Sequence, residues 1–553
     1  MKQSTRPRRG SQSSRNPRIS QRSRARRVHR RLRNRTRRPR THRVQRHQIQ
    51  PLLWPEDSAY RPVFRNRQVH LHVQQRGQTT PYGGLALAHD LAMRLQLDRE
   101  INRALPLLKL KLPYFESDHF LTHVYNQYVG GTCLEDISNL QHSAAIKGLV
   151  GACRIPDPST AGDFLRRFRP AHLRAVQRVI DQAREKVWSK LPRSRRRVAT
   201  IDLDSTIKPV YGECKQGADF SYNGQWSYHP LLITLMETNE PLRTINRSGN
   251  AASADGAAAA LLEVLPMVKR HFDTVYVRGD SKFYQKGILA ACARHDVRFA
   301  LCLDGYAGLQ EKAYSLPLSE WEPFSAHRAD QVARAAAEKQ RRRKRRRYRP
   351  LRARQRGYET LTTVKQWVTQ FDYTIPPGGT TLGAQVVGNT YRVAVKQQEV
   401  ETHQGQEYLF SEYRNRFVIT DIPPAEMNAA EVICFAYGRC DQENTIEQFK
   451  NGIAALRMPT GELLANSAFL LAGQLAWCLR AWLSLLALPK ETTRWEWKWF
   501  RQAFVYVAAR VTRGARQVHV FLADGHRFVE HLLLAAQRLQ SFVFEPSPAL
   551  EFQ

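Results

Sequence analysis

Val198-Ala-Thr-Ile-Asp-Leu-Asp204 is a short apolar run that ends in a carboxylate. Its length and composition are typical of a buried β-strand. Asp202 and Asp204 stand two residues apart, so on a strand they share one face. A carboxylate there is costly unless it meets a cation, a metal or solvent at the strand end. Asp204 is therefore the better placed of the two to bind a metal, although Asp after a strand is also common as a turn residue.

A second carboxylate repeats this situation further along the chain. Asp280 ends the run Thr274-Val-Tyr-Val-Arg-Gly-Asp280. Ligands of α/β sheets gather at the carboxyl ends of strands, which favours a binding role. The alternative is that Asp280 caps the helix that follows it.

A third carboxylate, Glu443, lies in a stretch with helical character that runs from Tyr437 to Lys450. Glu443, Glu447 and Lys450 are spaced to share one helix face, and Arg439 lies one turn earlier. An ordinary ion-paired helix surface has the same spacing and remains the alternative.

The charge of the chain gives these three carboxylates a chemical context. The 553 residues carry a net charge of +37, which favours a polyanionic partner because bound phosphates release condensed counterions. Two strand ends and one helix can converge on a single acidic site. On a basic protein such a site can hold hard divalent cations against nucleic-acid phosphates. The combination indicates DNA strand chemistry.

The sequence around the first two carboxylates predicts an α/β sheet with mixed strand directions. Three β-like runs in succession are followed by a helix that begins near Ala257, a fourth run, a helix that begins near Lys282 and a fifth run. The predicted strands are Val198–Asp204, Leu231–Glu237, Leu242–Arg247, Thr274–Gly279 and Val297–Leu303.

We predict five regions along the chain. Further β-like runs at Tyr391–Val395, Tyr408–Phe410 and Arg416–Thr420 follow the basic run Arg341–Arg347 and indicate an insertion. The regions are a disordered basic arm (1–50), a helical N-terminal DNA-binding domain (51–190), the first part of the core (191–304), a β-rich insertion with a basic segment (305–430), and the second part of the core with C-terminal helices (431–553).

Other features limit the class of protein. Residues 1–50 contain no Asp or Glu and are rich in Arg, which favours a disordered arm over an organellar presequence. The eight cysteines form no Cys-x-x-Cys pair, so we do not expect a zinc site. Scattered thiols of this kind fit a reducing cytoplasm. The apolar stretch from Leu463 to Leu488 contains Asn466, Gln474 and Arg480, which favours a buried helix over a membrane span.

Several motifs resemble the DDE transposases of bacterial insertion sequences, and most closely the 1380-like branch of the insertion-sequence four clan. The first is Ile201-Asp-Leu-Asp204-Ser-Thr206, and the second is Arg278-Gly-Asp280-Ser281. The third is a Tyr, Arg, Glu, Lys signature, in which one residue separates Tyr from Arg where the family usually has two. It is matched by Tyr437, Arg439, Glu443 and Lys450. Arg247-Ser-Gly-Asn250, Gly224-Gln-Trp-Ser-Tyr-His229 and Phe417-Val-Ile-Thr420 also look like segments of this branch.

The resemblance implies an RNase H-like core interrupted by a β-rich insertion. It implies that Asp204, Asp280 and Glu443 are the catalytic metal ligands, for two Mg²⁺ ions with Mn²⁺ as a substitute. It also implies that Arg439, Lys450 and Tyr437 contact DNA. The implied partner is double-stranded DNA, bound by a nucleoid-associated cytoplasmic homodimer on paired ends, with no membrane involved.

Two other classes remain open from the sequence. One is a nuclease with the same core that cuts DNA without joining it. The other is a DNA-binding relative that has lost catalysis. Both would keep the basic charge, so composition does not separate them from a transposase.

Overall fold

The computed structural model describes residues 78–324, 362–378, 382–403, 406–514 and 517–545, all within the unit Gln75–Gln553. The predicted basic arm (1–50) and the basic run Arg341–Arg347 lie outside the described residues.

Fifteen strands form three sheets in the described part of the chain. In chain order they are β1 (Gln78–Thr80), β2 (Val198–Ser205), β3 (Lys208–Pro209), β4 (Asp219–Phe220), β5 (Trp226–Tyr228), β6 (Leu231–Leu235), β7 (Glu240–Ile245), β8 (Thr274–Gly279), β9 (Arg298–Leu303), β10 (Glu322–Pro323), β11 (Thr362–Thr374), β12 (Thr390–His403), β13 (Gln406–Thr420), β14 (Ala509–Gly514) and β15 (Gln517–Leu522).

The helices surround the largest sheet. They are α1 (Leu85–Arg94), α2 (Leu97–Ala104), α3 (Glu116–Val129), α4 (Ser138–Gln141), α5 (Ala144–Leu149), α6 (Pro158–Arg166), α7 (Pro170–Ser189), α8 (Ala257–His271), α9 (Lys286–Arg294), α10 (Ala307–Tyr314), α11 (Ala429–Tyr437), α12 (Cys440–Glu447), α13 (Leu463–Leu486), α14 (Trp497–Phe504) and α15 (Val529–Gln540).

The strand that carries Asp204 lies inside a nine-stranded mixed sheet of order β10-β11-β12-β13-β9-β8-β2-β6-β7. β2 runs antiparallel to β6 and parallel to β8, and β8 runs parallel to β9. The five strands predicted around the first two carboxylates are all present, within a few residues of their predicted ends. The mixed α/β class is confirmed, and this order is compatible with an RNase H-like core.

The strands of the predicted insertion continue the same sheet. β13 pairs antiparallel with β9, and β12 and β11 follow it outward. The runs predicted at Tyr408–Phe410 and Arg416–Thr420 are both β-strand, but they belong to the single strand β13 instead of two strands. Polar residues between them do not end the strand, since its backbone stays paired with β12.

The helices that precede β2 share one core with those that follow α12. Apolar residues of α1 to α7 pack with those of α13 to α15, while α8 and α9 cover one face of the sheet and α11 covers the other. The predicted division of the chain into five regions stays a prediction.

α13 lies buried at the centre of that shared core and packs against α3 and α7. Of the described helices, it is the one long and apolar enough to cross a membrane, and 89% of its apolar window is buried inside the protein. Its buried polar side chains have partners: Asn466 Nδ2 donates to the Thr460 carbonyl at 3.0 Å, and Gln474 Oε1 accepts from the Thr244 hydroxyl at 2.6 Å. The predicted burial of this stretch is confirmed.

A buried histidine in the shared core makes stability depend on pH. His123 of α3 is fully buried, its Nε2 lies 3.0 Å from the Ala161 carbonyl, and burial lowers its pKa to about 4. As the pH falls, His123 is protonated in the unfolded chain before it is protonated in the folded protein, which favours the unfolded chain. Stability therefore falls as the pH falls from about 6.5 to about 4.

We expect His123→Gln to reduce this acid sensitivity. When the pH falls from 7 to 5, the unfolding free energy should decrease by about 2 kcal/mol less in the variant than in the unmodified protein. Urea unfolding at both pH values measures the difference, and His142→Gln, at an exposed histidine, serves as the control. Equal losses in the His123→Gln variant and the unmodified protein would contradict the assignment.

Candidate active site

Asp204 lies at the carboxyl end of β2, with its side chain 18% exposed. Its Oδ1 accepts a hydrogen bond from the Ser205 backbone N–H at 2.7 Å. Its Oδ2 lies 3.4 Å from Nη2 of Arg439, which arrives from the start of α12. Oδ1 therefore acts as expected of a turn residue, while Oδ2 faces the cation of Arg439.

Asp202, two residues earlier on the same face, has a different partner. Arg278 of β8 donates to both of its oxygens, at 2.7 and 2.8 Å, and both side chains are almost fully buried. Nη1 of Arg278 also donates to the Phe435 carbonyl of α11 at 2.8 Å. Asp202 is therefore engaged in joining β2, β8 and α11, and its oxygens are not free for another cation.

Asp280 is beside Asp204 at the same end of the sheet. In the parallel pairing of β2 and β8, Leu203 lies opposite Gly279. Asp204 and Asp280 are the residues that come next on the two strands, so they occupy matching positions. Asp280 Oδ1 accepts from the Lys282 backbone N–H at 2.8 Å and caps a short 3₁₀ turn. The capping alternative is therefore correct for this oxygen, and the strand-end position is as predicted.

Glu443 is exposed on α12. The expectation of one helical stretch from Tyr437 to Lys450 was wrong, because α11 ends at Tyr437 and α12 begins at Cys440. Lys450 lies beyond α12, in a π-helical turn, Gln448–Gly452. Arg439 lies in the break between the two helices and reaches the sheet, where its Nη2 donates to the Leu203 carbonyl at 2.9 Å.

The electrostatics of Asp204 link the three carboxylates. The pKa of Asp204 is raised to about 6, with burial as the largest cause. The charges of Asp280 and Glu443 also raise this pKa, while Arg439 and the Ser205 N–H lower it. Carboxylates that repel one another at a strand end have the donor chemistry that a hard divalent cation prefers. Within the described ranges, however, no three acidic, His or Cys side chains are already arranged to hold a metal ion.

The predicted DNA contacts occupy different environments. Arg439 is 13% exposed, and its Nε is buried without a hydrogen-bond partner among the described residues. Tyr437 is 38% exposed, and the Arg416 guanidinium lies 5.2 Å from the centre of its ring. Burial raises the pKa of Tyr437, and the nearby Cys302 thiol near the end of β9 raises it further. Lys450 is half-buried.

The sequence prediction missed the structural role of Arg278. The motif Arg278-Gly-Asp280-Ser281 includes this residue, but no role was predicted for it. The signal was present, because an Arg inside a buried strand needs a buried acid, and Asp202 lies in the other predicted strand of the pair.

Comparison with known proteins agrees with the geometry. A search of the curated proteins found no match. The family model described as transposase DDE domain group 1 matches residues 61–543, which include all three carboxylates and all the described strands and helices up to α15. Because the match spans most of the 553 residues, the chain belongs to the DDE transposase family.

Proposed function

We propose that this protein cleaves DNA at transposon ends and transfers the freed strand into target DNA, as a member of the 1380-like branch of the insertion-sequence four clan. Family membership implies a transposition enzyme with a DNA substrate and a dependence on divalent metal. The observation that carries the proposal is the adjacency of Asp204 and Asp280 at paired strand ends, with the charge of Glu443 acting on Asp204.

Asp204, Asp280 and Glu443 are the residues that would hold the metal, with two Mg²⁺ ions as the proposed set and Mn²⁺ as a substitute. Bound divalent cations supply activation of an attacking oxygen and stabilisation of a leaving oxygen in phosphodiester chemistry. The mutual repulsion of these carboxylates supports the assignment, because a dication would relieve it.

Side chains of the chain itself would orient the DNA. Arg439 contacts both Asp204 and the Leu203 carbonyl through Nη2, so it can position the carboxylate, and the exposed part of its guanidinium could donate to a phosphate. Lys450 would contact the backbone by charge, and Tyr437 would contact DNA beside Arg416. Such contacts position the scissile bond and do not read sequence.

The proposal also covers the roles of the regions of the chain, the number of copies that act together and their location. The strands β10 to β13 would be the insertion between the second Asp and the Glu, the helices before β2 would bind transposon ends, and residues 1–50 would add non-specific contacts. Two copies would act on paired ends, in the bacterial cytoplasm. Antiparallel pairing of β13 with β9 supports an insertion there, since it leaves the pairing of β2 with β8 undisturbed.

Glu443 and Glu447 provide a matched test of the catalytic position on α12. We expect Glu443→Gln to reduce metal-dependent DNA cleavage by about 10³-fold or more, because a neutral amide is a poor ligand for a hard cation. Glu447→Gln should retain activity, since Glu447 Oε1 accepts from Asn451 Nδ2 at 2.6 Å, whereas the charge that acts on Asp204 is that of Glu443. A plasmid-nicking assay with Mg²⁺ compares the two. Loss of activity only in Glu447→Gln would show that the helix register is assigned to the wrong residue.

A further inference from the structure

The chain after Glu443 adopts unusual backbone conformations over a short distance. A π-helical turn, Gln448–Gly452, is followed by the 3₁₀ turn Ala455–Arg457. Ala454 and Met458, on either side of that turn, have φ of +59° and +52°, which residues with a Cβ rarely adopt. Both π turns and left-handed non-glycine residues are enriched at functional sites. This segment carries two cations, Lys450 and Arg457.

Hydrogen bonds tie this segment to the hairpin region that follows Asp204. Lys215 Nζ donates to the carbonyls of Met458 and Thr460, at 2.6 and 2.8 Å. The Gln216 backbone N–H donates to the Gly461 carbonyl at 2.8 Å. These contacts hold the loop that follows β3 against the residues that follow Arg457.

Lys208 of β3 is the third cation of this region. It is the register partner of Tyr228, whose hydroxyl donates to the Gln216 carbonyl at 2.7 Å. Burial lowers the pKa of Lys208, and the charges of Arg457 and Lys450 lower it further. No ion pair connects Lys208, Lys450 or Arg457 to a carboxylate in the part of the chain that the structure describes. Like charges repel one another, so an anion that lies among these three cations would be favourable.

We propose that Lys208, Lys450 and Arg457 form a phosphate cradle that grips the backbone of duplex DNA beside Asp204. The inference rests on the proposed function and deepens it, because it adds Lys208 and Arg457 to the residues that hold the substrate. They are positioning residues: they fix the strand by charge and do not touch the reacting atoms. The strained backbone holds Arg457 in place before DNA arrives, which reduces the ordering needed on binding.

The test is the salt dependence of DNA binding by the full-length protein. Fluorescence anisotropy with a labelled duplex of arbitrary sequence gives the slope of log K against log salt concentration. In the double variant Lys208→Gln/Arg457→Gln we expect the slope to fall by about 2 units, since each lost phosphate contact removes about 0.9. Arg294→Gln, at the exposed end of α9, removes a charge elsewhere and should leave the slope unchanged.

A charge-preserving variant separates binding from folding. Lys208→Arg/Arg457→Lys should keep the slope of the unmodified protein, whereas a purely structural role would make both double variants behave alike. A slope that is unchanged in Lys208→Gln/Arg457→Gln overturns the cradle, even if the protein cleaves DNA. A reduced slope in a protein without metal-dependent cleavage supports the cradle and counts against the proposed function instead.

Discussion

Alanine at any one of Asp204, Asp280 or Glu443 is expected to lower metal-dependent DNA cleavage by about 10³-fold or more, which corresponds to about 4 kcal/mol of transition-state stabilisation. The reason is chemical: each change removes one carboxylate from the set of three that we propose to hold the same cations. Affinity for duplex DNA should stay within a few-fold, because the removed charges are negative. A nicking assay and an anisotropy titration on the same preparations measure both quantities.

Asp219→Ala is the matched control for these three variants. Asp219 lies on β4, outside the nine-stranded sheet, and its Oδ2 accepts from Asn250 at 2.6 Å. Its replacement removes a carboxylate without changing the proposed site, so cleavage should persist. Full cleavage in any one of the three alanine variants would remove that residue from the site.

Arg278→Ala is expected to have the largest effect on stability, a loss of about 3–5 kcal/mol of unfolding free energy. The change leaves the Asp202 carboxylate buried with no cation, and it removes the hydrogen bond to the Phe435 carbonyl. The guanidinium also lies 4.8 Å from the centre of the Phe435 ring, a contact that is lost as well. Urea unfolding followed by circular dichroism measures the loss.

A double-mutant cycle identifies the ion pair as the cause. Asp202→Asn should also destabilise the protein, but Arg278→Ala combined with Asp202→Asn should cost less than the sum of the two, because no buried charge remains unpaired. Arg294→Ala, at an exposed arginine, should change stability by under about 0.5 kcal/mol. Additive losses in the cycle would show that the two side chains act independently.

The sheet around Asp204 could be predicted from sequence because each of its strands is a short apolar run. β2, β6, β8 and β9 are buried along almost their whole length, so hydrophobicity alone marks them. β13 was predicted as two pieces, since its pairing with β12 includes polar residues such as Asn415 and Arg416. Its backbone pairing with β12 makes it one strand, and a local sequence pattern carries no information about that pairing.

The candidate site was only partly predictable for a similar reason. Asp204 and Asp280 each stand at the end of an apolar run, which is a local signal. The break at Gly438 has a weaker signal, because the residues on both sides favour a helix. Lys208 and Arg457 have no local signal, since they become neighbours only through the contacts of Lys215 and Gln216 with the segment after Arg457.

Location of bound Mn²⁺ tests the central claim most directly. Crystals of the protein with duplex DNA, soaked in Mn²⁺, would give anomalous difference density at each bound ion. We predict density in contact with the carboxylates of Asp204, Asp280 and Glu443, and its loss in Asp280→Ala. Ions bound at other residues, with these three side chains pointing away from them, would contradict the account.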